Sequence, residues 1–449
     1  MMISCLHTLA AELNAQLTGS NVTFSGCATD TRQPMHGALF IALRGENFDG
    51  HKFLDAAQAQ GAVAALVDRP VSTSLPTLSV GDTRHALGNI AAYWRQQHTA
   101  PIVAVTGSNG KTTVKEMLFA ILSQRGDTLA TQGNLNNDLG LPLTLCELEP
   151  QHEYVVVEMG ANHVGEINYL THIAEPDIAI ITQCAPAHLE GFGSIEAVAR
   201  TKGEIFSGLS AQGTAVINAD DSYYELWKTL ATPHTILRFA LQAEADIYAT
   251  DITMHETGSN FTLNTPQGSI PISLNVLGEH NIMNALAASA AAVVCNTPLE
   301  LIQTGLASMN AVKGRLNAKK GKHHSIVLDD TYNANPTSLR AGLQVLQQYD
   351  HPRWLILGDM FELGEDSQQL HQDIGDYAKE LGIDQVWTLG ELSQASSQNW
   401  GEKGRHFTDQ NQLINELLNA LQQPTALLIK GSRGMRMEHV VNALCGEIN

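Results

Sequence analysis

Apolar positions change their rhythm along the chain. From residue 101 onward, short uninterrupted apolar runs alternate with longer amphipathic stretches. Residues 102–106 read Ile-Val-Ala-Val-Thr, 154–157 Tyr-Val-Val-Val, 178–182 Ile-Ala-Ile-Ile-Thr and 215–217 Ala-Val-Ile. Runs of that length suit strands buried on both faces of a parallel sheet, and the gaps between them have room for helices. The pattern predicts a doubly wound unit with helices over 111–124 and 194–209 and a long Ala-rich helix over 281–294. Residues 246–275 alternate polar and apolar with turn residues between, which predicts antiparallel strands appended to that sheet.

The flanking segments carry weaker versions of the same signals. Strands are expected over 38–43 and 62–67, a helix over 53–60 that ends near Gly61, and a helix over 83–97. A further α/β block begins near Gly314, with strands over 325–328, 354–357, 385–389 and 426–429. The expected fold is α/β in three domains. These are a small α/β N-terminal domain over 1–83, a central P-loop-type mostly parallel sheet with appended antiparallel strands over 84–313, and a Rossmann-like α/β domain over 314–449. A chain of 449 residues exceeds what one core usually serves.

Charge narrows the partners. The formal net charge of -20 disfavours nonspecific binding to nucleic acid or to anionic membrane, and it gives no encouragement to self-association, so a monomer is expected. No apolar run reaches the roughly 18 residues that would span a bilayer. Residues 1–10 show no basic region followed by an apolar stretch, so a cytoplasmic protein is expected. The six cysteines lie far apart with no Cys-x-x-Cys pair, which reads as reduced, small apolar residues.

One segment carries chemistry in its context. Thr106-Gly107-Ser108-Asn109-Gly110-Lys111-Thr112-Thr113 stands between a buried strand and a helix, as a phosphate loop does. Its glycines let backbone N–H groups turn toward one anion, and the helix N-terminus adds a favourable dipole. Lys111 would neutralise phosphate charge, and the Thr112 hydroxyl is a ligand for Mg²⁺. The usual pattern has glycine five residues before Gly-Lys, where this chain has Val105. Glu158 and His188 follow strands at the sheet edge where ligands gather in such folds, Glu158 as a metal ligand or an ion-paired cap, His188 as a metal or phosphate partner or a structural histidine. Lys202, by itself, reads as a solvated helix lysine. Asn281 and Asn284 share a helix face, which capping also explains.

Together these segments resemble the Mur ligase family over essentially the whole chain. The phosphate loop, Glu158-Met159-Gly160-Ala161-Asn162 and Gly278-Glu279-His280-Asn281-Ile282-Met283-Asn284-Ala285 carry the resemblance, and the missing glycine is the family's own form. Three later stretches resemble the family branch that adds D-alanyl-D-alanine: Asp330-Thr331-Tyr332-Asn333-Ala334-Asn335-Pro336, Gly358-Asp359-Met360-Phe361-Glu362-Leu363-Gly364 with His371, and Lys430-Gly431-Ser432-Arg433-Gly434-Met435-Arg436-Met437-Glu438. Thr331 replaces the usual serine and keeps its hydroxyl.

The resemblance implies that ATP phosphorylates the terminal carboxylate of UDP-N-acetylmuramoyl-tripeptide and that the amine of D-alanyl-D-alanine displaces the phosphate. It implies that Gly107 through Thr113 hold the triphosphate, with Thr112, Glu158, His188 and a carbamate formed from carbon dioxide on Lys202 around Mg²⁺. By the same likeness Asn281 and Asn284 lie on the adenine side, Arg315 reaches the γ-phosphate, Asp330 lies near the ribose, and Tyr332 and Asn333 pack beside the nucleotide. For the uridine-linked substrate it implies Thr29, Asp30, Thr31, Arg32, Asn47, Asp49 and His51, with Asn134, Asn136 and Asn137 facing the muramoyl part. Asn335 and Arg433 are the implied dipeptide contacts. A tripeptide-forming Mur ligase, a folylpolyglutamate synthetase and a non-ligating ATP-hydrolysing switch are the rivals. The Asp-Asn-Pro-Arg-type signature of the first is missing from 314–449, where Tyr332-Asn333-Ala334-Asn335-Pro336 stands.

Overall fold

The computed structural model describes residues 2–186 and 189–446. Three principal sheets follow one another along the chain. The first has five strands in the order Gln16–Thr18, Thr77–Ser79, Ala64–Val67, Leu39–Ile41 and Cys27–Ala28, beside a two-stranded ribbon of Ile3–Cys5 and Thr23–Ser25. Its strands are shorter than the apolar runs that announce them. Ala38 closes a turn onto Met35 at 2.7 Å, and Leu43 turns back on Ile41 at 3.0 Å, so only the middle of the run pairs.

The central sheet has nine strands. From one edge they are Gly268–Leu274, Gly258–Thr265, Ile247–His255, Thr235–Ala240, Thr214–Asn218, Ile178–Ile181, Ile102–Thr106, Tyr154–Glu158 and Thr128–Ala130. The three between 247 and 274 pair antiparallel with each other, and the rest pair parallel. The unbroken apolar runs follow from two covered faces. Ile102 and Ala104 point into one core and Val103 and Val105 into another, and all four are fully buried. Glu279–Val294 and Lys111–Leu122 pack together over the second of these faces.

The third sheet has six strands in the order Asn317–Lys320, Ile326–Asp330, Ala426–Lys430, Arg353–Gly358, Gln385–Leu389 and Gly404–Phe407. All neighbours are parallel except the first pair. The last strand in sequence inserts beside Ile326–Asp330, which brings Lys430 into register with Asp330 at the carboxyl edge. Helix Pro336–Leu346 starts from that edge on an Asn335 capping box, with Pro336 inside the first turn.

Two expectations need correction. The helix over 194–209 ends as an α-helix at Gly203, Ile195–Gly203, and continues as a 3₁₀ turn, Glu204–Gly208. Glycines at 203 and 208 bracket the tightened stretch, and glycine is a poor helix former. Thr235–Ala240 is a strand missing from the expected elements, and Arg238 interrupts its apolar run. Arg238 meets Asp246 at 3.0 Å, which neutralises it within the sheet. Among the described residues no helix is long and apolar enough to cross a membrane.

Candidate active site

The carboxyl edges of the central and third sheets face each other across a cleft of about 520 Å³. Its floor is the turn after Ile102–Thr106. Gly107 has φ 145° and Gly110 has φ 83°, conformations that side chains oppose. Space forbids a side chain as well. A Cβ on Gly107 would lie 1.9 Å from Thr182 Oγ1, and one on Gly110 would lie 2.3 Å from Asn284 Oδ1. The helix Lys111–Leu122 then begins without any side-chain cap, leaving its first N–H groups for an anion.

Lys111 folds back, its Nζ donating to Gly107 O at 2.7 Å. Burial lowers its pKa from lysine's ordinary value; the Glu158 carboxylate opposes that shift and the Arg315 guanidinium adds to it. The Thr112 hydroxyl donates to Glu158 Oε2 at 2.8 Å, and Asn136 Nδ2 donates to Glu158 Oε1 at 2.7 Å. Glu158 is 2% exposed, so these donors hold a carboxylate where water is scarce. Thr112 and Glu158 are a hydroxyl and a carboxylate side by side, the oxygen donor set that Mg²⁺ takes together with phosphate oxygens and water. Among the described residues no group of three or more His, Cys, Asp or Glu could hold a metal by itself. His188 lies outside the described residues.

The third sheet supplies the facing wall. Arg315 Nη2 donates to Thr112 Oγ1 at 2.9 Å, and its guanidinium lies 4.2 Å from the centre of the Tyr332 ring. Lys430 Nζ contacts Asp330 Oδ2 at 2.5 Å and donates to Asn333 O at 2.9 Å. Asn335 Nδ2 donates to Asn109 Oδ1 at 2.7 Å, joining the wall to the phosphate loop. Asn281 and Asn284 close the side: Asn284 Nδ2 donates to Asn281 Oδ1 at 2.8 Å, and Asn281 Nδ2 to Leu277 O at 2.7 Å.

Several expected residues lie elsewhere or are engaged otherwise. Lys202 does not line the cleft and is no solvated lysine: it is 2% exposed. Burial, with Lys111 adding to it, lowers its pKa to about 7. Its ammonium lies 5.6 Å from the Phe192 ring. Arg433 is on the surface, paired with Glu438 at 3.0 Å. Asn134, Asn136 and Asn137 all line the cleft, and Asn137 also caps the turn into Gly140–Cys146, accepting from Gly140 N at 2.9 Å. The N-terminal set stands apart from the cleft. Thr29 and Thr31 flank Asp30, which pairs with Arg32 at 2.7 Å; that hydrogen bonding draws the Asp30 pKa down to about 2. Asn47 is exposed, and Asp49 holds His51 Nδ1 at 2.8 Å.

Other cleft residues carried no signal in the sequence. His280 lies within a quoted motif, but its place beside Asp330 and Lys430 depends on the third sheet. Arg84 and Asp138 meet across the cleft mouth, 54 residues apart in sequence.

Comparison with known proteins follows the same segments. The family model for the Mur ligase middle domain matches residues 105–292, that for the Mur ligase, glutamate ligase domain 314–433, and that for the Mur ligase family, catalytic domain 23–95. The chain is 47% identical over 447 residues to the UDP-N-acetylmuramoyl-tripeptide–D-alanyl-D-alanine ligase of Escherichia coli (strain K12), covering 99% of each. A solved structure of the UDP-N-acetylmuramoylalanyl-D-glutamyl-2,6-diaminopimelate–D-alanyl-D-alanyl ligase from Acinetobacter baumannii matches with a TM-score of 0.89 at 39% identity, covering 98% of each chain. The MurF ligase from Thermotoga maritima, solved in complex with ADP, matches with a TM-score of 0.84 at 28% identity over 94% of this chain and 97% of that one. With three of the family's models matched along 23–433 and a relative 47% identical over 99% of the chain, this chain belongs to the Mur ligase family.

Proposed function

We infer that the chain is an ATP-dependent ligase that joins D-alanyl-D-alanine to UDP-N-acetylmuramoyl-tripeptide, giving the pentapeptide, ADP and phosphate in peptidoglycan synthesis. One observation carries the chemistry: Arg315, Thr112 and Glu158 form a hydrogen-bonded chain at the N-terminus of the phosphate-loop helix. A guanidinium from one sheet and a carboxylate from the other thus converge where a terminal phosphate would lie.

The chain's own groups divide the work. The N–H groups of 107–113 and Lys111 hold the triphosphate, and Arg315 holds the group in transfer, where preformed charge lowers the barrier. Thr112 and Glu158 would hold Mg²⁺, which shields the phosphate oxygens from the incoming carboxylate. Asn281, Asn284, Asp330, Tyr332 and Asn333 surround the nucleoside side. The terminal carboxylate of the tripeptide takes the γ-phosphoryl group and becomes an acyl-phosphate. The dipeptide amine adds to its carbonyl carbon, a proton leaves the nitrogen, and phosphate departs from the tetrahedral intermediate. Walls from two sheets keep water from the acyl-phosphate.

Lys202 is suited to a carbamate. A buried amine with a pKa of about 7 is largely neutral at physiological pH, so it attacks carbon dioxide and releases one proton. The product is an anion, and near Lys111 it would add negative charge that favours Mg²⁺ in the cleft.

We assign the uridine-linked end to the N-terminal sheet, at 29–32 and 47–51. By likeness to the A. baumannii ligase, the tripeptide is alanyl-D-glutamyl-2,6-diaminopimelate. The protein acts in the cytoplasm, where ATP and a UDP-linked substrate are available, and its acidic surface favours a monomer. Incubation with ATP, UDP-N-acetylmuramoyl-tripeptide and D-alanyl-D-alanine tests the reading. Equal amounts of pentapeptide and phosphate are expected, and phosphate release that ignores the dipeptide would refute ligation.

A further inference from the structure

Among the described residues Lys and Arg side chains line the cleft at four positions, and three of them are tied to groups around the phosphate-transfer cluster. Lys111 is tied to the phosphate loop, Arg315 to Thr112 and the Tyr332 face, and Lys430 to Asp330 and Asn333. The fourth, Arg84, is in the first turn of the helix Thr83–Arg95, which links the N-terminal sheet to the central one. It meets Asp138 through Nε and through Nη2, the latter at 2.6 Å, and the two side chains are 51% and 30% exposed.

A guanidinium carries five N–H donors in a planar fork. Asp138 occupies the Nε–Nη2 edge and so fixes the plane. The Nη1–Nη2 edge stays available for a second, bidentate carboxylate, the geometry that makes arginine a carboxylate reader. Asp138 directly follows Asn136 and Asn137, and Asn136 touches Glu158. Arg84 therefore stands at the N-terminal approach to the phosphate-transfer cluster.

We propose that Arg84 binds the free carboxylate of the glutamyl residue in the tripeptide. This rests on the functional reading above. A glutamyl residue within a peptide uses one carboxyl in its amide and leaves the other free. It also precedes the reacting terminal residue, so with the nucleotide end on the N-terminal sheet it passes Arg84 before the terminus reaches Thr112. Arg84 is a specificity residue that touches substrate away from the reacting atoms.

The test is calorimetric binding of UDP-N-acetylmuramoyl-tripeptide and two analogues, without ATP. One analogue has the free glutamyl carboxylate amidated; the other has lysine in place of diaminopimelate and so lacks that residue's second carboxylate. The unmutated chain should bind the amidated analogue roughly 10- to 100-fold more weakly, the value of a charge-assisted bidentate contact. Arg84→Met should bind the parent tripeptide equally weakly and no longer distinguish it from the amidated form. Asp138→Asn, which keeps the guanidinium, should still distinguish them. Undiminished discrimination by Arg84→Met would overturn the inference alone. Loss of discrimination against the lysine analogue instead would overturn the glutamyl assignment. Failure of the unmutated chain to bind the tripeptide would overturn the functional reading along with it.

Discussion

Asn109 and Asn335 face each other amide to amide, with Asn335 Nδ2 donating to Asn109 Oδ1 at 2.7 Å and Asn109 Nδ2 to Asn335 Oδ1 at 3.4 Å. One belongs to the phosphate loop and the other is the cap of the Pro336–Leu346 helix. The same Asn335 Oδ1 accepts from Ser338 N at 2.9 Å, so the contact ties the loop to a rigid helix start. Asn109→Ala removes the tie and leaves the cap. It should lower kcat/KM for ATP by about 3- to 10-fold, the worth of one hydrogen bond, with little change in Tm. Asn335→Ala loses both and should also cost about 1 kcal/mol of stability. Steady-state kinetics and thermal melts of the two variants separate these effects.

The floor of the cleft tolerates no side chain. Gly110→Ala forces φ 83° on an L-residue and drives its Cβ toward Asn284. We expect about 1–3 kcal/mol of destabilisation and at least 10-fold weaker ATP binding. Denaturant melts and nucleotide titration read both. Wild-type affinity in this variant would mean that the turn does not hold the triphosphate.

Glu158→Gln keeps the size of the side chain and most of its hydrogen bonds with Thr112 and Asn136 but removes the charge. Folding should change little. Turnover should fall by roughly 10²-fold or more, because a fixed charge near the transferring group is lost. The Mg²⁺ concentration for half-maximal activity should also rise, which a titration of rate against Mg²⁺ would show.

Lys202 gives a pH-dependent signature. Its folded pKa of about 7 is below the unfolded value, so between these two the unfolded chain binds a proton that the folded chain lacks. Stability attributable to this side chain therefore rises with pH across that window, and the cost of burying the ammonium is full below about pH 7. Lys202→Met, compared in buffer free of carbon dioxide, should be more stable than the parent at pH 6.5, with an advantage that shrinks by pH 9. An advantage independent of pH would show that the ammonium is not buried as described. On the carbamate reading proposed above, the same variant should be nearly inactive.

The sequence made the central sheet legible because its strands are buried on both faces, as the alternation of Ile102 to Val105 between two cores shows. Strands bearing a charge, such as Thr235–Ala240, were hidden until Asp246 appeared beside Arg238. The phosphate loop could be read because its chemistry is local: glycines, lysine and helix start are adjacent. Arg315, Asp330 and Asn335 came from likeness to a family, and the contacts of Arg315 and Asn335 with the loop depend on how two sheets meet. Lys202 was misread from the residues alone, since a helix lysine shows no sign in its sequence that it is buried and lies over the Phe192 ring. Arg84 and Asp138 gave no signal, because an ion pair between distant segments has no local pattern.

Isotope transfer tests the central chemistry most directly. The terminal carboxylate of the tripeptide is labelled with ¹⁸O and the enzyme is run with ATP and D-alanyl-D-alanine. If the carboxylate attacks the γ-phosphorus, its oxygen bridges carbon and phosphorus and leaves with the phosphate, so each phosphate released should carry one label. Phosphate free of ¹⁸O, with its fourth oxygen taken from water, would contradict the account.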